Sequence, residues 1–293
     1  MPKGTRELTA TNSFCCSDST DLNTNPQNPP MRELSLDLLG VRVDALTRYD
    51  IVDAIADAVD YRAPCIIGNH NLHSLYLLCR EPKMREFYAS ADYVNIDGMS
   101  LVFLGWLLRL PLKPEHRTNC IDLLPLLAER AARCQWRLFF LGSRPGVPEK
   151  AAQTLRIRYP GLQISTHHGY FDTNPCGEEN QRVLAEIRRS KANILLVGMG
   201  MPRQETWIVE NRGNIAAGAI LTCGGFMDLV AGEIPTAPRW LGPLGLEWLF
   251  RLLSEPARLW RRYLVEPWLV LFRVAKQSWR HGRPSIGAEG GFM

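Results

Sequence analysis

Short apolar runs alternate with amphipathic stretches of about ten to fifteen residues along most of this chain, and that alternation restricts the fold more than any other feature. Leu38–Val43, Pro64–Gly68, Tyr93–Ile96, Arg137–Leu141, Gln163–Thr166, Ile194–Val197 and Ala219–Thr222 read as strands. Between them Arg48–Tyr61, Leu72–Arg80, Ser100–Leu108, Ile121–Cys134, Pro148–Arg158, Glu178–Ser190 and Pro202–Asn211 have helical spacing. Strands separated by helices of this length predict an α/β, Rossmann-like fold: a mainly parallel sheet with helices on both faces. The expected organisation is a disordered leader over 1–30, a Rossmann-like domain over 31–245, and a helical C-terminal appendage over 246–293. Met31 opens the first structured-looking stretch and offers an alternative start.

Composition narrows the function classes. The net charge of +4 is too small to argue for a nucleic-acid partner, but its distribution is uneven. Residues 251–283 hold eight Arg or Lys against two Glu, so the basic character belongs to the C-terminus. The eight cysteines are scattered with no CxxC pair, which predicts reduced thiols in a reducing compartment and no zinc site. The first 30 residues lack the apolar core of a secretory signal, and no apolar run approaches the roughly 20 residues of a spanning helix.

In open parallel sheets ligands bind beyond the C-terminal ends of the strands. Four such ends are unusual here: Asn69-His70-Asn71, Asp97-Gly98, Gly142–Gly146, and the run Gly198–Glu205 (GMGMPRQE). The turn at Gly198–Gly200 leads into a helix with Pro202 near its first position, and exposed N–H groups there favour a diphosphate. The plainer alternative is a connecting turn, and it applies equally to Gly142–Gly146. Asp97 follows a short apolar strand, so its carboxylate is placed at a strand tip, where it can take a proton from a hydroxyl; the alternative is a turn-forming Asp. The chain has no Asp-x-Asp, which points to charge neutralisation by arginine and helix N-termini rather than by metal.

Together these motifs resemble the WecG/TagA/CpsF family, glycosyltransferase family 26, over roughly residues 35–265. The most specific elements are GMGMPRQETWI (Gly198–Ile208) and the block CGGFMDLVAGEIPTAPRWLGPLGLEWLFRLLSEPARLWRRY (Cys223–Tyr263). Asp97-Gly98 and Arg117 also stand where the family has its Asp-Gly and Arg. The resemblance implies metal-independent, inverting transfer, without a cofactor, of a hexose or N-acetylhexosamine-type sugar. The donor would be a UDP-sugar and the acceptor an undecaprenyl-diphosphate-linked glycan, in cell-surface polysaccharide biosynthesis. It implies Asp97 as general base with Asn69 beside it, and a donor site of Asn71, Gly142, Gly198, Gly200, Gln204 and Glu205. Arg117, Arg251, Arg258 and Arg261 would meet phosphate groups of donor or acceptor. On one continuous helix the last three share a face, provided the chain restarts or bends at Pro256. Two positions depart from the family pattern: Asn69 stands where Thr is usual, and Cys120 where Gly is usual.

The appendage interleaves Trp248, Trp260, Trp268 and Trp279 with its arginines, a composition suited to an anionic membrane surface or, alternatively, to a cap packed on the core. The expected location is cytoplasmic, peripheral to the inner face of the plasma membrane. A nucleotide-binding regulatory protein and an NAD(P) oxidoreductase are the rival readings; the second lacks the third Gly of G-x-G-x-x-G. The donor sugar, the acceptor glycan and the oligomeric state, including a homo-oligomer, stay open at this level.

Overall fold

The computed structural model describes residues 35–38, 40–61, 64–242 and 244–272. The leader over 1–30 and the appendage beyond residue 272, including Trp279, lie outside them. Six parallel strands form the central sheet: β3 (Cys65–His70), β4 (Tyr93–Ile96), β5 (Arg137–Gly142), β6 (Gln163–His167), β7 (Ile194–Gly198) and β8 (Ala219–Thr222), in the order β4-β3-β8-β7-β5-β6. Their sequences are near-continuous apolar runs because both faces are covered. On one face α1 (Arg48–Asp60), α5 (Cys120–Arg133), α6 (Val147–Arg158) and α9 (Phe226–Val230) bury Ile55, Leu127, Ala151 and Phe226 against Leu138, Phe140 and Leu196. On the other, α3 (Pro82–Ser90), α7 (Glu178–Ser190) and α8 (Arg203–Asn211) bury Phe87, Ile187 and Trp207 against Phe139, Leu195 and Val197.

The first expected strand, Leu38–Val43, is instead an antiparallel hairpin of β1 (Ser35–Asp37) and β2 (Arg42–Asp44) that stays off the main sheet. Gly40 at φ +78° makes the reversal, which a single apolar run conceals. The hairpin is pinned by Asp44, whose Oδ2 accepts from the Val94 N–H at 2.7 Å.

The helices begin where the sequence supplies caps. Thr47 and Asp50 form a capping box at α1, and Asn71 and Ser74 form one at α2 (Leu72–Leu78). Beyond Leu246 the chain forms α10 (Glu247–Ser254), α11 (Pro256–Leu264) and helical residues 266–272. Glu255 closes α10 and opens α11, so the chain restarts at Pro256.

Strand order decides where a site can form. β5 is followed by its neighbour β6 on one side, and β7 by its neighbour β8 on the other. Connections leave in opposite directions at the β5–β7 junction, and α6 and α8 lie on opposite faces. That opens a crevice above Gly142 and Gly198, which are register partners.

Candidate active site

The two glycine turns meet at this crevice. A Cβ on Gly142 would stand 2.3 Å from the Gly198 carbonyl oxygen, so only glycine lets the strand ends close. Ser143 follows in the left-handed region at φ +54°, and its Oγ donates to Asp228 Oδ2 at 2.6 Å. The main chain from Gly142 to Ser143 is thereby fixed from β7 and from α9.

Gln204 and Glu205, expected to line the donor site, are both fully buried. Gln204 Oε1 accepts from the N–H groups of Gly200 and Gly224, each at 3.2 Å, and its Nε2 donates to Glu205 Oε1 at 2.7 Å. One amide therefore clamps together the turns after β7 and β8. Burial raises the Glu205 carboxyl to about 7 despite the Gln204 bond, and its Oε2 has no hydrogen-bond partner.

Asp97 sits just past β4, where its N–H donates to the His70 carbonyl at 2.8 Å. Asn71 Nδ2 donates to Asp97 Oδ2 at 3.1 Å, while the same side chain's oxygen caps α2 through the Ser74 N–H. Asn71 thus ties the carboxylate to a helix start. The other Asp97 oxygen has no hydrogen bond among the described residues. Asn69 lies one strand inward: its Nδ2 donates to the Thr222 carbonyl at 3.1 Å, and its buried Oδ1 lacks a partner.

Beneath these polar ends lies a buried layer that sequence reading did not single out. The His70 and Tyr88 rings stack with centroids 3.8 Å apart, and Tyr88 Oη donates to the Asn69 carbonyl at 2.7 Å. Ser74 Oγ donates to the Asn71 carbonyl, so His70 Nδ1 carries the proton given to Ser74 Oγ. Burial, reinforced by Arg42, lowers His70 to about 3, so the ring is neutral at physiological pH. Burial raises the Tyr88 phenol, with the Glu205 and Asp97 charges adding to the effect.

The arginines divide. Arg117 is half-buried and holds two carboxylates, Glu247 Oε2 and Asp122 Oδ2, each at 2.7 Å, joining α5 to α10. The chain restarts at Pro256, the condition on which Arg251, Arg258 and Arg261 were expected to share a face. Arg262 comes within charge range of Arg251, Asp97 and Glu266, and burial lowers its guanidinium. Arg258 and Arg261 line a cavity with Arg262, on the side facing α2. The Arg-Arg pair at 261–262 was visible in the sequence, but the phase selecting its second member depends on where α11 restarts. Among the described residues no three of His, Cys, Asp or Glu gather as a metal-ligand set, and no helix is long and apolar enough to cross a membrane.

Comparison with known proteins accords with this architecture. Two Staphylococcus aureus proteins, from strains MW2 and NCTC 8325, are each 27% identical over 251 residues, spanning 82% of this chain and 92% of their own length. Both are N-acetylglucosaminyldiphosphoundecaprenol N-acetyl-beta-D-mannosaminyltransferases. The model of the WecG/TagA/CpsF glycosyl transferase family matches residues 36–284, the hairpin, sheet and appendage alike, so this chain belongs to that family and is a glycosyltransferase.

Proposed function

We propose that this protein transfers a hexose or N-acetylhexosamine-type sugar from a UDP donor to an undecaprenyl-diphosphate-linked sugar, with inversion and without metal or cofactor. The observation that carries this reading is Asp97: a carboxylate held by Asn71 at the sheet's C-terminal edge, with Arg262 within its field. In this mechanism Asp97 takes the proton of an acceptor hydroxyl as its oxygen attacks the anomeric carbon. The UDP leaves from the opposite face with the bonding electron pair. Backbone N–H groups at the crevice and guanidinium groups of the tail stabilise the charge that develops on the diphosphate. Substrates of the Staphylococcus aureus relatives support the lipid-diphosphate acceptor.

The appendage supports attachment to the inner face of the plasma membrane. Leu253, Trp268 and Phe272 are 74%, 70% and 69% exposed and stand among arginines, the composition of an interfacial surface.

Asp97→Asn keeps the shape and the Asn71 contact but loses the base. Transfer measured with UDP-sugars and a polyprenyl-diphosphate glycan is expected to fall about 10²–10⁴-fold, with donor binding unchanged. Full turnover by this variant would remove Asp97 as the base.

A further inference from the structure

A hollow of about 10 Å³ lies at the C-terminal ends of β3 and β8, close to the space that a single water or hydroxyl oxygen requires. Asn69 and Cys120, the two departures from the family pattern, both line it, and so do Asn95, Thr118, Thr222 and Cys223. Two of its polar side chains are already committed: Asn95 Nδ2 donates to the Thr118 carbonyl, and Thr118 Oγ1 donates to the Leu46 carbonyl. Two others are incomplete. Asn69 Oδ1 and Thr222 Oγ1 are shut off from solvent without a hydrogen-bond partner, on residues only 7% and 5% exposed. Asn69 gives its Nδ2 to the Thr222 carbonyl, so the atom it leaves free is an acceptor, whereas the Thr222 hydroxyl can donate. A hydroxyl group completes both, donating to Asn69 and accepting from Thr222.

The hollow lies between the two ends of the site. The register partner of Asn69 is Asn95, two residues before Asp97, and that of Thr222 is Val197, immediately before Gly198. Three strand spacings separate β4 from β7, about 14 Å, and β3 and β8 fill that interval. A donor whose diphosphate rests on the glycine turns, with its reacting carbon toward Asp97, therefore carries its sugar ring across this hollow.

We propose that the hollow reads the C2 hydroxyl of the donor sugar, so that the protein transfers a hexose and rejects an N-acetylhexosamine. The inference rests on the UDP-sugar donor already proposed and names the class of sugar. C2 adjoins the anomeric carbon, so its substituent is the one carried closest to the reacting centre. An acetamido group adds a carbonyl and a methyl to the single atom that fits. Cys120, at the start of α5, sets the size, because its side chain occupies wall space that a glycine would leave open. Selection by a buried hydrogen-bonding pair is steep, since a sugar lacking the hydroxyl leaves both protein groups unpaired.

Calorimetry on the full-length chain compares UDP-glucose with its 2-deoxy and 2-acetamido forms, and UDP-galactose with the same two forms. In the series that the chain accepts, the hydroxyl sugar is expected to bind tenfold or more tighter than either partner. Cys120→Gly is expected to narrow the gap to the acetamido sugar tenfold while leaving the affinity for UDP itself within twofold. Thr222→Val keeps the side chain's shape and is expected to shrink the gap to the deoxy sugar alone. Equal binding of hydroxyl and acetamido forms in both series, or tighter binding of the acetamido form, overturns the proposal and leaves UDP-dependent transfer standing. Equal binding of hydroxyl and deoxy forms makes the hollow a site for water only and overturns it too. Failure to bind UDP at all would remove the UDP-sugar reading and the inference with it.

Discussion

Glu205 shows how far a side chain's setting can pull it from its usual chemistry. Its carboxyl is buried beneath the glycine turns and titrates near 7 rather than its ordinary 4.5, because burial penalises the charge. Below pH 4.5 folded and unfolded chains both hold this proton. Between 4.5 and about 7 the unfolded chain ionises first, so stability falls as pH rises, and the loss is complete above the folded value. At 1.36 kcal/mol per pH unit the full effect is on the order of 3 kcal/mol. Glu205→Gln keeps an acceptor for Gln204 Nε2 and removes the titration. Urea unfolding at pH 5 and pH 8 is expected to show the variant gaining on the wild type by up to about 3 kcal/mol at the higher pH. An equal difference at both values would mean that Glu205 does not carry this proton.

The strand ends of β5 and β7 depend on one another. Gly142→Ala sets a methyl group against the Gly198 carbonyl, a contact that forces the two strands apart. Overpacking of this kind costs about 1–3 kcal/mol. The expected outcome is a lower thermal midpoint together with loss of nucleotide-donor binding, since the crevice is made of these two turns. A destabilised variant that binds UDP as the wild type does would place the donor elsewhere. Gly146 makes the matching control: its added Cβ meets nothing within 4 Å, although its φ of +86° costs backbone strain.

Across the whole molecule, the sheet and the tail meet at one edge. Arg117 reaches α10 through Glu247, His73 reaches the last described helix through Glu266, and the Asp97 charge acts on Arg262. In the proposed mechanism the tail completes the site, and it also carries exposed Trp and Leu side chains. Deleting residues 246–293 is expected to release the protein from anionic vesicles and to abolish transfer. Each basic residue near such a surface contributes about 1 kcal/mol, so full-length binding should weaken as salt rises. Co-sedimentation across a salt series measures both effects. A truncated chain that sediments as the full one does would remove the appendage as the membrane contact.

The alternation of apolar runs and helices was enough for the parallel sheet, because strands buried on both faces leave continuous hydrophobic runs. Capping residues such as Thr47 and Asn71 marked helix starts by local chemistry, and the glycine turns and Asp97 stood out because turn geometry is written in adjacent residues. Three things needed the tertiary structure. The reversal at Gly40 hid inside one apolar run. Gln204 and Glu205 look like ordinary polar residues of a helix start, and only packing under β7 and β8 turns them inward. The burial of Arg262 follows from where α11 restarts after Glu255, and the cavity it lines with Arg258 and Arg261 follows from how that helix lies on α2. Local sequence encodes what neighbouring residues decide together; which distant side chains share a cleft is decided by the packing of whole elements, which no short stretch contains.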